Sequence, residues 1–436
     1  WPDGSIKWLL CEGLIDLQQH SASEEIVLTL DPVENGSPST TLTSPVTNND
    51  DVLLLSLSND KTLTINKTRP FEFATKHFSS SFDIVDITPQ SITPFAFSYA
   101  LHCNNNEYSA LTVEQKYEIS LGSDKKLIVE TEASIFLSTG TVCGHVTMRN
   151  PSAASHPNGK WDLGDPNSIY LKECCISFTG KSLEPTLTLN SDVFSSSEHE
   201  ELTLHQASSG YQNWQSPVHV NKDNVNSLPF RGFKLYQPNQ LLLSGDQAQP
   251  QITISDSGST FSIHVDKFWQ NFPSSAQLSA NILSVSLLGS RHSENTELQP
   301  GEQKTRCISI APFEMQSLQV VIDSAWLKNA SVLPFLPSKS CEFDSLIKNG
   351  IEGSSSFYQK RLDIDEFGWR HFGELYADHE KALVPDEPFF VSHYNNQYDP
   401  IFGMLMQWLL SGDPRWFELA DDLAKHVADI DVYHTS

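Results

Sequence analysis

The segment Ser392-His393-Tyr394-Asn395-Asn396-Gln397-Tyr398-Asp399 gathers one imidazole, two phenols and three carboxamides into eight residues. These are the groups that β-elimination at a uronic acid needs. Carboxamides or a guanidinium hydrogen-bond the sugar carboxylate and stabilise the enolate as it forms, so the proton on C5 becomes removable. An imidazole or phenolate takes that proton, and a phenol or imidazole protonates the departing O4. A second dense stretch runs from Gly368-Trp369-Arg370-His371 through Glu374, Tyr376 and Asp378-His379-Glu380, and a short third one is Asp431-Val432-Tyr433-His434. The candidate acids and bases are therefore His393, Tyr394, Tyr398 and His379. The candidate substrate ligands are Arg370, His371, Asn395, Asn396, Gln397, Tyr376, His434 and Trp369, the last by stacking on a sugar ring.

Each of these types also has a purely structural use. Asn396 and Gln397 suit a helix cap, Tyr394 and Tyr398 suit packing with a wet hydroxyl, and His379 suits a hydrogen-bonding hub. His426 reads as a helix-face residue rather than a catalyst. Glu374 and Asp378, four apart, form a carboxylate pair that a glycosidase would use instead. Lys304 and Arg306, beside a strand, read as surface charges, and Asp429-Ile430-Asp431 reads as solvated surface.

The elements that must position these groups are of two kinds. Up to about residue 320, short apolar or alternating runs at 6–10, 26–30, 52–57, 62–65, 127–132, 252–254, 282–288, 308–310 and 318–322 predict β-strands. Asn, Ser, Asp, Gly and Pro clusters such as Asn104-Asn105-Asn106 separate them, which predicts packed sheets or barrels. After a Pro- and Ser-rich stretch near 334–340 the pattern turns helical. Asp399-Pro400 and Asp413-Pro414 each offer an N-cap followed by proline at the first helical position. Ser411-Gly412 stops the chain between them. Ile401, Met404, Leu405 and Trp408, then Trp416, Leu419, Ala420, Leu423, Val427 and Ile430, recur at helical spacing. The spacing predicts an αα-hairpin over 399–431 and a further helix over 341–360. The candidate residues fall in the loops before and between these helices, and loops on a rigid scaffold are where sites tend to lie.

The chain has 436 residues, enough for two or three domains. Lysine and arginine total 28 against 54 aspartate and glutamate, so the net charge is 28 − 54 = −26. That balance excludes a nucleic-acid binder that tracks phosphates with a basic face, and no apolar run spans a membrane. The seven cysteines are scattered and lack CxxC spacing, so neither a cysteine zinc site nor a dense disulfide framework is expected. No metal ligands are expected and no cofactor is required. Calcium is the one ion left open, as a carboxylate neutraliser, although no EF-hand-like spacing supports it. The composition leaves the oligomeric state open.

Several blocks together resemble one family. Trp1-Pro2-Asp3-Gly4-Ser5-Ile6-Lys7-Trp8, His145-Val146-Thr147-Met148-Arg149-Asn150-Pro151, Gly159-Lys160-Trp161-Asp162, Phe268-Trp269-Gln270-Asn271-Phe272-Pro273, Gly301-Glu302-Gln303-Lys304-Thr305 and Gly412-Asp413-Pro414-Arg415-Trp416 occur in order along the chain. With the 369–380 and 393–399 stretches, they look like the signature of the exo-rhamnogalacturonan lyase and YetA-like group of polysaccharide lyases. Arg306 stands where that pattern would have a histidine. The resemblance implies three parts: an N-terminal RIFT-type β-barrel over 1–85, a central β-sandwich over 86–325 and the first helices of a C-terminal α/α toroid over 335–436. It also implies that part of the barrel precedes Trp1, that most of the toroid follows Ser436, and that the protein is exported to the periplasm or medium.

The expected function is lyase cleavage of a rhamnose–uronate polymer, rhamnogalacturonan first and an ulvan-like polymer second, with the acidic polysaccharide as the only partner. The alternatives are a glycoside hydrolase using Glu374 with Asp378 or Asp386, and a non-catalytic carbohydrate-binding protein.

Overall fold

A computed structural model describes residues 44–57, 61–104, 107–156, 163–196, 201–238, 240–313, 343–375 and 398–435, with isolated positions at 324, 325 and 327. The strands expected at 6–10, 26–30 and 318–322 lie outside the described residues. Elsewhere the predicted runs are strands. The apolar residues of Val52–Ser56 and Thr62–Asn66 alternate, so Leu53, Leu55, Leu63 and Ile65 share one buried face.

Two antiparallel sheets hold most of the chain. The larger has eleven strands, in spatial order Val46–Asn48, Val52–Ser56, Thr62–Asn66, Phe73–Ala74, Ser79–Val85, Glu173–Thr179, Ile282–Gly289, Ser274–Ser279, Leu202–Gln206, Phe233–Gln237 and Gln240–Gly245. The smaller has nine, in the order Asp192–Ser195, Glu184–Leu189, Gln251–Asp256, Ser259–Val265, Gln303–Ala311, Thr141–Arg149, Lys125–Phe136, Glu107–Gly122 and Ser91–Asn104. Leu53, Ile65, Phe73 and Phe178 from the first sheet share one contiguous core with Leu111, Leu127, Ile135, Met148 and Ile254 from the second. Apolar faces of two sheets buried against each other make this a β-sandwich. A separate two-stranded ribbon pairs Ile169–Leu171 with Thr296–Leu298.

The barrel expected over 1–85 is not what residues 44–85 form. The strand Ser79–Val85 pairs along its length with Glu173–Thr179, and among the described residues Val46–Asn48 pairs only with Val52–Ser56. A barrel needs its first and last strands joined. Here the alternating apolar face of the segment is spent on covering the second sheet, so among the described residues no barrel closes.

The C-terminal helices are Asp344–Asn349, Phe357–Ile364, Pro400–Ser411 and Pro414–His426, followed by a π-helical turn, Val427–Asp431. The hairpin is as the sequence predicts. Asp399 accepts from the Phe402 N–H at 3.3 Å and Asp413 from the Arg415 N–H at 3.0 Å. Gly412 takes the left-handed conformation, φ 73°, and its N–H closes on the Trp408 carbonyl at 2.7 Å. Trp416, Leu419, Ala420 and Leu423 pack with Met404, Ile401, Leu405 and Trp408. The single helix expected over 341–360 is instead two short ones, parted around Gly350 and Gly353, residues that weaken a helix interior. Four helices do not close a ring, and a toroid is not shown among the described residues.

Three groups read as surface from the sequence are buried where the hairpin meets the sandwich. Asp429 is 3% exposed and accepts from the Thr305 N–H at 3.0 Å and the Thr305 hydroxyl at 2.8 Å. The π turn carries it onto the strand Gln303–Ala311, which an α-helical continuation would not do. The same docking covers Lys304 and Arg306. Burial pushes the Lys304 ammonium down to about 8 and the Arg306 guanidinium down to about 10. Nearby, Arg361 and Asp422 form a buried ion pair at 3.0 Å.

Candidate active site

The cleft with the best claim to chemistry lies between the ribbon, the 218–229 loop and the 367–371 loop, and encloses about 490 Å³. Each wall has a local cause. Ser216-Pro217 starts a short 3₁₀ turn, Pro217–His219, with the Ser216 side chain accepting from the Val218 N–H, and this turn presents His219. The 367–371 loop is pinned by backbone bonds from the Gly368 N–H to the Gln270 carbonyl at 2.7 Å and from the Trp369 N–H to the Phe272 carbonyl at 2.9 Å. Gly368 has φ 88°, and an added Cβ would meet the Phe272 ring at 3.2 Å, so glycine is required there.

At the back of the cleft, His219 Nε2 lies 2.7 Å from Asp365 Oδ2, both side chains buried. Asp365 is the left-handed C-cap of the helix Phe357–Ile364, φ 55°, which turns its carboxylate out of the helix toward the sandwich. Its other oxygen accepts from the Ser209 hydroxyl. A carboxylate only accepts, so Nε2 carries a proton, and in the neutral ring the lone pair sits on Nδ1. The His371 ring stands edge-on to that of His219, with centroids 6.2 Å apart. Phe272 lies against the other side of His219 at 5.2 Å.

In the ribbon that lines the same cleft, the register sets Tyr170 directly across from Glu297, so the two share a face. Burial and the neighbouring Glu297 carboxylate push the Tyr170 phenol up to about 12. It is 40% exposed and stays protonated at neutral pH. Glu297 is itself fixed by the Gly164 N–H at 2.6 Å and the Ser168 hydroxyl at 2.7 Å. Lys172, Asn221, Lys222 and Asn295 line the same cleft and offer donors to an anion.

Of the residues singled out from sequence, Trp369, Arg370 and His371 come together here. Arg370 donates through Nη2 to the Glu302 carboxylate at 3.0 Å and to the Glu297 carbonyl at 2.7 Å, and it lies over the Trp369 ring at 5.0 Å. Its charge is thereby shared with buried Glu302, whose carboxyl burial pushes up while Arg370 draws it down. Tyr398 is 83% exposed at the start of the helix Pro400–Ser411 and is not among the cleft's lining residues. His434 is also outside it, with Nε2 2.6 Å from the Ala428 carbonyl. Tyr376, His379, His393, Tyr394, Asn395, Asn396 and Gln397 lie outside the described residues, as do Asp378 and Asp386. Glu374 is described, buried against His426 at 2.9 Å.

His219, Asp365 and Tyr170 were missed. Ser216-Pro217 carries the cap signal that would have placed His219 on a defined turn, and the Ile169–Leu171 alternation would have placed Tyr170 on a strand. Nothing in sequence joins position 219 to 365.

No family model matches the sequence, and a search of curated proteins finds no match. Among solved structures, the chain is similar to a galactose mutarotase-like protein from Lactobacillus casei, at 12% identity and TM-score 0.28, over 59% of this chain and 99% of that one. It is similar to a GH36 α-galactosidase from Geobacillus stearothermophilus at 9% identity and TM-score 0.24, over 55% and 30% of the two chains. It is also similar to the galactosidase domain of an α-galactosidase–sucrose kinase at 8% identity and TM-score 0.27, over 61% and 41%. The chain thus spans less than half the length of the two galactosidases.

Proposed function

We propose that this protein is a polysaccharide lyase that cleaves a rhamnose–uronate polymer, rhamnogalacturonan first, by β-elimination in the 218–229/367–371 cleft. The observation that carries the reading is that His219, backed by buried Asp365, and a protonated Tyr170 line the same open cleft. Asp365 holds the His219 tautomer with Nδ1 as base, which takes the C5 proton. Lys172, Asn221 and His371 hydrogen-bond the uronate carboxylate as negative charge develops on it. Tyr170, with its proton retained, protonates O4 as the glycosidic bond breaks. The proton from C5 goes to His219, the one lost by Tyr170 goes to the leaving group, and a C4–C5 double bond remains in the product. Trp369 offers a face for a neighbouring sugar.

On this reading the helical hairpin is the start of an α/α toroid, and the protein meets its substrate in the periplasm or medium. Among the described residues no helix is long and apolar enough to cross a membrane.

The test incubates the protein with rhamnogalacturonan and follows the ultraviolet absorbance of the unsaturated uronate alongside reducing ends. Both rise together for a lyase. Reducing ends without absorbance would make the protein a hydrolase, and neither signal would leave the carbohydrate-binding reading.

A further inference from the structure

Beyond the cleft, the loop that carries His371 ends at Glu374, whose N–H returns to the His371 carbonyl at 3.1 Å. There Glu374, His426 and Asp431 bring three ligand atoms together, each within 4.8 Å of the others. His426 Nε2 is 2.9 Å from Glu374 Oε2 and 3.6 Å from Asp431 Oδ1. A cation with bonds of about 2.1 Å holds adjacent ligands roughly 3.0 Å apart when octahedral and roughly 3.4 Å apart when tetrahedral. The spacing brackets both geometries.

We propose that Glu374, His426 and Asp431 form a binding site for a divalent first-row transition-metal cation of the zinc class. The donor set is one imidazole nitrogen and two carboxylate oxygens, which suits zinc or manganese. Calcium would want six to eight oxygens. The composition argument against a zinc site considered only cysteine spacing and did not address this set.

A second observation singles out the imidazole. His426 is 2% exposed, and although Nε2 sits between two carboxylates, neither ring nitrogen makes a hydrogen bond of ordinary geometry. Against the pull of burial, the two carboxylates hold this ring protonated, up to about 9, with its Nδ1–H buried and without an acceptor. A cation that takes the Nε2 lone pair displaces that proton and leaves only a neutral N–H at Nδ1, the smaller penalty. The π turn supplies the third ligand: it wraps Asp431 back over the end of the helix that bears His426. The Asp431 side chain is 30% exposed, which gives an ion and its remaining water ligands an entry path. Bound there, the cation ties the loop below the cleft to the end of the hairpin.

The experiment strips the full chain with chelator and titrates it by calorimetry with Zn²⁺, Mn²⁺ and Ca²⁺. Co²⁺ serves as a spectroscopic probe, because its visible d–d bands report nitrogen–oxygen coordination. One-to-one zinc uptake, a raised Tm and visible cobalt bands are expected, with calcium at least tenfold weaker. His426→Gln should weaken zinc about tenfold or more. Asp431→Asn, at a half-exposed position that keeps the fold by circular dichroism, should do the same. Failure of the wild type to bind one equivalent, or both variants titrating like the wild type, would overturn the site and leave an ion pair only. These readouts need no substrate, so they stand apart from the lyase assay.

Discussion

His219 and Asp365 stand 146 residues apart in the chain and meet at 2.7 Å with both side chains buried. One comes from a 3₁₀ turn of the sandwich and the other from the C-cap of a helix, so the couple joins the β and α parts at the cleft. Replacing His219 with Asn should lower the rate of the proposed elimination on the order of a hundredfold or more. Asp365→Asn should lower it by a similar order with little change in KM, because the wrong tautomer is then favoured. Tyr170→Phe should act on the same step. Near-normal rates in all three variants would remove the cleft from the chemistry.

His205 gives the pH test. It is buried, with Nε2 3.1 Å from the Ser293 hydroxyl, and burial, His292 and Lys234 together hold its imidazole down to about 3. The unfolded imidazole titrates near 6.5. Below that pH the unfolded chain takes up a proton that the folded chain refuses, so this contribution to stability is complete above about 6.5 and is lost progressively toward 3. His205→Gln should flatten the acid limb of a urea-midpoint-versus-pH curve. An unchanged slope between pH 6.5 and 4 would show that His205 is not the group responsible.

Asp429→Ala should detach the hairpin from the sandwich. It removes the acceptor of the Thr305 N–H and hydroxyl and leaves Lys304 buried without its nearest anion, 3.9 Å away. Loss of one partner from such a buried charged group costs about 3–5 kcal/mol. Chemical denaturation would measure this. A change below about 1 kcal/mol would mean that the junction does not depend on Asp429.

The caps offer a milder check. Asp413→Ala removes the acceptor of the Arg415 N–H and should destabilise the hairpin by about 1 kcal/mol. Gly412→Ala should cost a similar amount, because φ 73° is poor for a side chain. Leu423→Ala, at a fully buried position, should cost about 2–5 kcal/mol. The order Leu423 above both caps is the outcome to look for in Tm.

The hairpin was legible in the sequence because its determinants are local: Asp399, Pro400, Gly412, Asp413 and the apolar stripe all act within a few residues of one another. The alternation at 52–57 and 62–65 likewise announced half-buried strands. The two longest strands, Ser91–Asn104 and Glu107–Gly122, escaped notice. Polar Gln115 occupies an inward position of the second, 2% exposed, and bonds the Asn66 carbonyl at 2.7 Å. A period-two apolar pattern is blurred when an inward position is polar.

By itself, the sequence determined that β-strands precede helices and where the hairpin turns, and it singled out Trp369, Arg370 and His371, which line one cleft. Tertiary structure alone decided that residues 44–85 extend a sandwich sheet, that Lys304, Arg306 and Asp429 are buried, and that His219, backed by Asp365, lines one cleft with Tyr170. Capping and periodicity are properties of neighbours along the chain, written in its order. Sheet pairing, docking of helix on strand and the meeting of an imidazole with a distant carboxylate depend on which surfaces gain most by leaving water together, and no short window of residues records that.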